Sequence, residues 1–400
     1  MSDLQIFTEN IEPAAVNQIY TLLAQPPFAD AKVRIMPDVH YGSGCVVGFT
    51  STMQDAVIPN VIGVDIGCGM RSVELGQAEF DLKELDDFIR KNVPCGSMTH
   101  KKIDGSATGM IQRLHCFSEL KDMLRLEGSL GTLGGGNHFI EVDADAEGNR
   151  YLVVHSGSRN LGLQVAKIYQ RLAIETCKGA ALPEREQLIA DLKKAGRVAD
   201  IPQALQKLTE KYAAKSKVPA DFCYLDGANM QDYMHDMRIC QEFALRNREK
   251  IAGNILRFLG LQRAPAFETV HNYIDDANVI RKGAISARKG EKVIIPMNMR
   301  DGCLICEGLG NPDWNYSAPH GAGRLLRRSE VKELVSVEEY KQAMQGIYST
   351  TVNESTLDES PMAYKDAEEI KRLIAPTVRI LNIVKPIYNF KAGSQKDNAE

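Results

Sequence analysis

Short apolar runs that stop at polar, often glycine-rich turns recur along this chain, and the residues suited to chemistry sit at those stops, from Asp38 to Lys391. A site assembled from positions so dispersed requires the first and last parts of the chain to pack together. The pattern therefore predicts one mixed α+β domain over residues 1–392, with several short-stranded sheets and surrounding helices, and not two independent modules.

After a short N-terminal helix, strands are expected at Val33–Met36, Cys45–Phe49, Ala56–Ile58 and Arg71–Leu75, and helices over 80–92 and 107–127. The block from Gly128 to Gly136 leads into strands at Phe139–Val142 and Tyr151–Val154, joined by an Asp/Gly/Asn turn. Residues 161–258 read as a helical subregion: charged helical sequence to about Lys217, broken at Pro183 and Pro202, then one long helix from Asp226 to Phe258. Strands return at Glu268–His271, Val293–Pro296 and Leu304–Glu307, helices at 329–347 and 364–374, and a last strand near Ile383–Phe390. Residues 393–400 read as a flexible tail.

A net charge of −4 excludes binding to nucleic acid through a global basic field, so such contact needs a local patch. No run approaches the roughly 18–20 apolar residues that cross a bilayer. The N-terminus lacks a secretory pattern, so the expected setting is cytoplasmic, without a membrane partner. Nine cysteines in that setting read as thiols. Cys303-x-x-Cys306 reads as two thiols on one apolar strand and not as a zinc or redox pair.

Asp65-Ile-Gly-Cys68 sits among glycines that let a carboxylate and a thiolate point at one spot. Three histidines join it: His138 after Gly134-Gly-Gly-Asn137, His155 after Tyr151-Leu-Val-Val154, and His271 after Phe267-Glu-Thr-Val270. Each stands at a strand edge, where a rigid element can hold a ligand. A carboxylate, a thiolate and three imidazoles exceed a closed four-ligand zinc site, and a bridging thiolate can serve two ions. Thiolate favours zinc, whereas oxygen ligands suit manganese, and ligand chemistry alone does not choose.

Ser317-Ala-Pro-His320-Gly-Ala-Gly-Arg324 places an imidazole where small residues admit a phosphate and an arginine neutralises it. His320 there can be base, ligand or nucleophile. Met36-Pro-Asp38-Val-His40 offers an acid able to fix the tautomer of a reactive histidine. The run Leu130-Gly-Thr-Leu-Gly-Gly-Gly-Asn137 lacks the Lys-Ser/Thr of a P-loop and the setting of a dinucleotide fold.

Seven ordered motifs together resemble the RtcB family of RNA-splicing ligases: Pro-Asp-Val-His at 37–40, Asp-Ile-Gly-Cys-Gly-Met-Arg at 65–71, Gly-Thr-Leu-Gly-Gly-Gly-Asn-His-Phe at 131–139, His-Ser-Gly-Ser-Arg at 155–159, His-Asn-Tyr at 271–273, Arg-Lys-Gly-Ala at 281–284 and His-Gly-Ala-Gly-Arg at 320–324. The resemblance implies the family's own fold and a GTP-dependent ligase with two Mn²⁺ ions. Asp65, Cys68 and His138 would hold one ion, and Cys68, His155 and His271 the other. His320 would take GMP from GTP, with Asp38 as its acid. Nucleotide contacts would come from Asn137, His138, Phe139, Ile140, Glu141 (toward guanine), His271 and Asn272. Pro296, Asn298, Met299, Gly321, Ala322, Gly323, Arg324, Tyr364 (stacked on the base) and Lys391 would complete them. The implied partner is RNA ending in a 2′,3′-cyclic phosphate or 3′-phosphate and a 5′-hydroxyl, contacted by Arg159 and Arg328, with room for an activating protein.

One loop departs from the family pattern: the usual Pro-Gly-Ser-Met-Gly is here Pro296-Met-Asn-Met-Arg300-Asp-Gly302, which marks a variant branch suited as well to RNA repair as to tRNA splicing. Two other readings stand beside the ligase. A dinuclear metal phosphoesterase acting on RNA ends uses the same ligands but gives His320 no special task. A non-enzymatic RNA-binding scaffold with a structural metal is opposed by the ligand count and the weak charge.

Overall fold

A computed structural model describes residues 2–178, 182–213, 218–261 and 264–392. Its secondary structure is α+β, arranged around two main sheets. The larger sheet has seven strands in the order Lys292–Asn298, Gly302–Gly308, Val378–Lys391, Phe139–Ala144, Arg150–Ser156, Gly69–Gly76 and Ala266–Val270, every neighbouring pair antiparallel. The second has five: Asp3–Ile6, Lys32–His40, Val47–Thr52, Val279–Lys282 and Asn272–Ile274, with only the first pair parallel.

Two-residue periodicity sorts the large sheet's faces. Ile140 and Val142 of one strand, with Leu152 and Val154 of the next, pack with Ile251, Ala252 and Ile255 of the long helix Gly227–Phe258 in one apolar cluster. The alternate residues, among them Phe139, Glu141 and His155, belong to the opposite face. The 32-residue helix spans about 48 Å. Its fully buried Asn247 and Arg248 brace the loops of the site. Asn247 accepts from the backbone N–H of Gly131 and Thr132 and donates to the carbonyls of Thr132 and Gly157, while Arg248 donates to the carbonyls of Gly67 and Ser156. Buried backbone groups in those irregular loops thereby find partners.

The last strand is longer than its apolar run suggests. Its fourteen residues pair with Gly302–Gly308 along one half and with Phe139–Ala144 along the other, shifting register near Pro386. The expected helix over 107–127 is instead two short ones, Gly105–Ile111 and Met123–Gly128. Between them the N–H groups of His115 and Cys116 bond to the buried Asp236 carboxylate. Helix 329–347 is likewise split, into Arg328–Leu334 and Val337–Ala343, because Ser336 and Glu339 form a capping box that starts a new helix. The helix read over 364–374 begins later, at Ala367, with Asp366 as its cap. Pro183 and Pro202 stand in the first turns of Leu182–Lys194 and Ile201–Ala213, where proline starts a helix and does not break one. The strands Asp3–Ile6, Asn272–Ile274, Val279–Lys282, Ala284–Ser286 and Ser317–Pro319 were not expected; all have five residues or fewer. The tail read at 393–400 lies outside the described residues. Among the described residues, no helix is long and apolar enough to cross a membrane.

Candidate active site

Adjacent strands of the large sheet line up their ends so that five donors converge. Phe139 is paired with His155, His155 with Met70, and Gly69 with Val270, so His138, His155, Cys68 and His271 emerge along one edge. The Cys68 Sγ lies 3.3 Å from Nε2 of both His138 and His155. Asp65 Oδ2 is 2.9 Å from His138 Nε2. Two donor trios result, Asp65–Cys68–His138 and Cys68–His155–His271, each with its atoms within 4.8 Å of one another and both using the same sulfur. Gly157 is required for this closeness, since a Cβ there would fall 2.1 Å from Asp65 Oδ1.

Electrostatics suit the trios to cations. Burial pushes the His155 and His271 imidazoles well below their usual range, with neighbouring imidazoles adding to the effect, so both offer lone pairs. Burial and then Asp65 push the Cys68 thiol up, so a nearby cation is what would favour its thiolate. Burial also acts to raise Asp65, but His138 and Arg159 outweigh it and hold the carboxyl at about 2. Asp65 Oδ1 and His155 Nδ1 are buried without protein partners. His138 Nδ1 faces the Leu133 carbonyl at 2.9 Å, which turns Nε2 toward the sulfur and the acid. Five mixed N, O and S donors, two of them with orphaned atoms, fit a pair of divalent ions.

His320 follows the short strand Ser317–Pro319 and meets Asp38 from the five-stranded sheet. Its Nδ1 is 2.7 Å from Asp38 Oδ2, and its backbone N–H donates to the same oxygen at 3.1 Å. Asp38 is fully buried, and Lys365 pins its strand by donating to the carbonyls of Pro37 and Val39. With Nδ1–H held by a carboxylate, the free lone pair of His320 is at Nε2. The His320 ring stands 4.8 Å from that of His271, which joins the nucleophile candidate to the donor trios. Gly323 closes the turn at φ +78, where a Cβ would strike the Asp38 carbonyl oxygen at 2.2 Å.

A cavity of about 250 Å³ opens over these groups. Asn137, Phe139, Glu141, His271, Asn272, Pro296, Asn298, Met299, Tyr364 and Lys391 line it, with Gly321, Ala322, Gly323, Arg324 and Arg328 beside His320. Ile140 does not: its side chain is fully buried on the other face of its strand, against the long helix. His138 and Arg159 lie instead on a second recess, where Arg125 and Asn160 join Asp65 and Asn137. Asp38 sits behind His320. Glu141 accepts from Asn389 at 2.8 Å, and burial lifts its carboxyl to about 7.

Glu359 went unnoticed in the sequence. It is almost wholly buried and accepts from Lys391 Nζ at 2.6 Å and the Tyr364 hydroxyl at 2.7 Å, with Arg324 and Arg328 also paired to it. Burial acts to raise its carboxyl, but Lys391, Arg328 and Arg324 hold it down at about 2. One anion thus positions four groups of the cavity wall. Glu359→Gln keeps the shape and removes the charge. The expected result is a loss of about 3 kcal/mol of stability, as for a broken buried ion pair, and a weakened response to any nucleotide bound there. Denaturant unfolding and nucleotide titration check it; unchanged values in both would rule out the positioning role. Lys282, half-buried on the cavity wall, stood in the Arg-Lys-Gly-Ala motif but was given no role, and Arg125 was unread because nothing local marks it.

In the variant loop, the added charge of Arg300 is matched by Asp301 at 2.8 Å, while Asn298 spends its side chain closing the turn on the N–H of Arg300 and Asp301. Cys303 and Cys306 are both buried on Gly302–Gly308 but belong to different apolar clusters.

Comparison with known proteins gives a consistent result. The family described as tRNA-splicing ligase RtcB matches over residues 18–123 and 116–392. RNA-splicing ligase RtcB of Escherichia coli K12 is 28% identical over 407 residues, covering 91% of this chain and 91% of that protein. tRNA-splicing ligase RtcB of Aeropyrum pernix is 28% identical over 424 residues, covering 85% and 83%. The corresponding ligase of Methanococcus maripaludis is 26% identical over 440 residues, covering 92% and 88%.

Proposed function

The chain belongs to the RtcB family, and from that premise we propose that it is a GTP- and Mn²⁺-dependent RNA ligase that joins 2′,3′-cyclic phosphate or 3′-phosphate ends to 5′-hydroxyl ends. His320 Nε2 attacks the α-phosphorus of GTP; the new P–N bond forms as the α–β P–O bond breaks and pyrophosphate leaves. An RNA 3′-phosphate oxygen then takes the GMP, breaking the P–N bond and freeing His320. A cyclic end is first opened by water to the 3′-phosphate. The 5′-hydroxyl attacks the activated 3′-phosphate, loses its proton to solvent, and displaces GMP. A phosphate monoester is a poor electrophile, and the mixed anhydride supplies its leaving group.

Asp65, Cys68 and His138 would hold one ion and Cys68, His155 and His271 the other. When bound, the two ions neutralise phosphate charge and lower the pKa of an attacking hydroxyl. Asp38 keeps the His320 lone pair at Nε2 and steadies the positive charge that forms on the ring. Arg324 answers phosphate charge, and Tyr364, Glu141 and Lys391 form the nucleoside end of the cavity. The observation that carries this reading is the buried Asp38 clamp on His320, 2.7 Å long, at the edge of the shared-sulfur trios. A phosphoesterase using water has no need of that clamp. RNA carrying a 3′-phosphate, mixed with a 5′-hydroxyl strand, GTP and Mn²⁺, is expected to give a joined product with GMP and pyrophosphate; dephosphorylated ends without joining would reverse the assignment.

The second recess, with Arg125 and Arg159 opening onto Asp65 and His138, suits the RNA backbone. Arg159→Ala is expected to cut RNA joining about 10- to 100-fold, the loss of a charge-assisted hydrogen bond, while His320 labelling by GTP stays within a few-fold. Equal loss in both assays would assign Arg159 to the metal site instead, since it lies 3.2 Å from His138 Nδ1.

A further inference from the structure

Five of the eight histidines gather at the cavity and its donor trios, and two of the remaining three meet elsewhere. His115, in the loop after Gly105–Ile111, and His235, near the start of the long helix, stack with ring centroids 4.0 Å apart and 13° between planes. Each Nδ1 faces its own carboxylate: His115 to Asp232 at 2.7 Å, and His235 to Asp236 at 3.0 Å. Asp232, His235 and Asp236 follow the helical spacing of three and four, so the helix presents them on one face.

Asp236 is the fixed member. It is fully buried and accepts the His115 and Cys116 N–H groups at 2.8 and 3.0 Å and the Tyr169 hydroxyl at 2.8 Å. Burial acts to raise this carboxyl, but the His235 bond and the backbone donors hold it below its usual range, so it stays charged. The other three side chains are about half exposed, at 50% for His115, 47% for Asp232 and 42% for His235. They can turn toward a solute without disturbing the core.

We propose that His115, His235, Asp232 and Asp236 form a separate site for one divalent transition-metal ion of the zinc class. Donor atoms of His115, His235 and Asp236 already lie within 4.8 Å of one another. A tetrahedral ion with bonds of 2.0–2.1 Å holds two imidazole nitrogens roughly 3.3 Å apart, so ring rotation suffices. The ion takes the place of the protons between each imidazole and its carboxylate, and its two charges match the two acids. Imidazole with carboxylate selects zinc or its neighbours over magnesium and calcium, and none of the four proposed donors is a sulfur, which separates the site from the Cys68 centre. Along the helix, His235 lies twelve residues, about 18 Å, from Asn247, which braces the loop preceding His138. The ion cross-links the segment after Ile111 to the long helix, and that segment leads into Met123–Gly128, which carries Arg125 of the second recess. This inference does not depend on the ligase chemistry.

The test is Zn²⁺ binding to metal-free full-length protein, counted against a chromogenic chelator, in the wild type and in His115→Ala/His235→Ala. The wild type is expected to bind one equivalent more than the double variant, with GTP labelling equal in both at saturating Mn²⁺. Asp232→Asn is expected to keep the equivalent but bind it at least tenfold more weakly. Co²⁺ at this site should give visible d–d absorption without a sulfur-to-metal band, and that component should vanish in the double variant. Equal Zn²⁺ stoichiometry in the two proteins would overturn the site. His235→Gln, which preserves a bond to Asp236, guards against misfolding: it too must lose the equivalent, and retention would be equally decisive against the proposal.

Discussion

Replacing His320 with alanine is expected to abolish covalent labelling of the protein by α-labelled GTP in the presence of Mn²⁺, a loss of about 10³-fold or more, as removal of a nucleophile demands. The label on the wild type is expected to be stable to alkali and released by acid, the signature of a phosphorus–nitrogen bond. The variant should remain folded, because His320 stands at the cavity wall and its loss leaves no large void. Asp38→Asn gives a second, graded result. The amide keeps the shape but no longer holds the Nδ1 proton as a carboxylate does, so labelling is expected to fall about 10²- to 10⁴-fold while the GTP concentration for half-saturation changes little. Label persisting on His320→Ala would move the nucleophile elsewhere and leave the Asp38 pair without a chemical role.

The second large effect concerns the sulfur. Cys68→Ala removes the donor common to both trios, so the bound Mn²⁺ should fall from two ions toward none, and GTP labelling should disappear with it. A variant of a single-trio ligand, His271→Ala, is expected to retain one ion. Metal analysis after gel filtration, read together with the labelling assay, separates these cases. Near-normal labelling in Cys68→Ala with two ions still bound would end the bridging role. The substitution removes only a small buried side chain, so thermal unfolding without metal should change by a few degrees at most.

The donor residues were legible because each follows or precedes an apolar run that specifies a strand, and strand register then leaves little freedom. His155 and His138 could be read as site residues before anyone knew that Phe139 pairs with His155. The last strand was legible only in part, since Arg379 and Asn382 interrupt the apolar residues of its outer half, most of which are exposed or half-exposed. Glu359 and Asn247 escaped for a different reason. Their meaning lies wholly in what other elements bring to them: Glu359 is one more acid in Asp358-Glu359 until Lys391, Arg324 and Arg328 are packed around it. The split helices divide similarly. The Ser336–Glu339 box that starts the second helix was written in adjacent residues, whereas the interruption near His115 depends on an acid 121 positions away. Ile140 shows the limit of transferring motifs residue by residue, because alternation along a strand sends every second side chain away from the cavity.

The strand Val378–Lys391 is made last among the described elements, yet it is third in the order of the large sheet. While the chain is still being synthesised, the hairpin of Lys292–Asn298 with Gly302–Gly308 has no backbone ladder to the sheet's other four strands, and the cavity lacks Lys391. A chain cut short before this segment is therefore expected to leave the sheet in two pieces and to show no RNA joining.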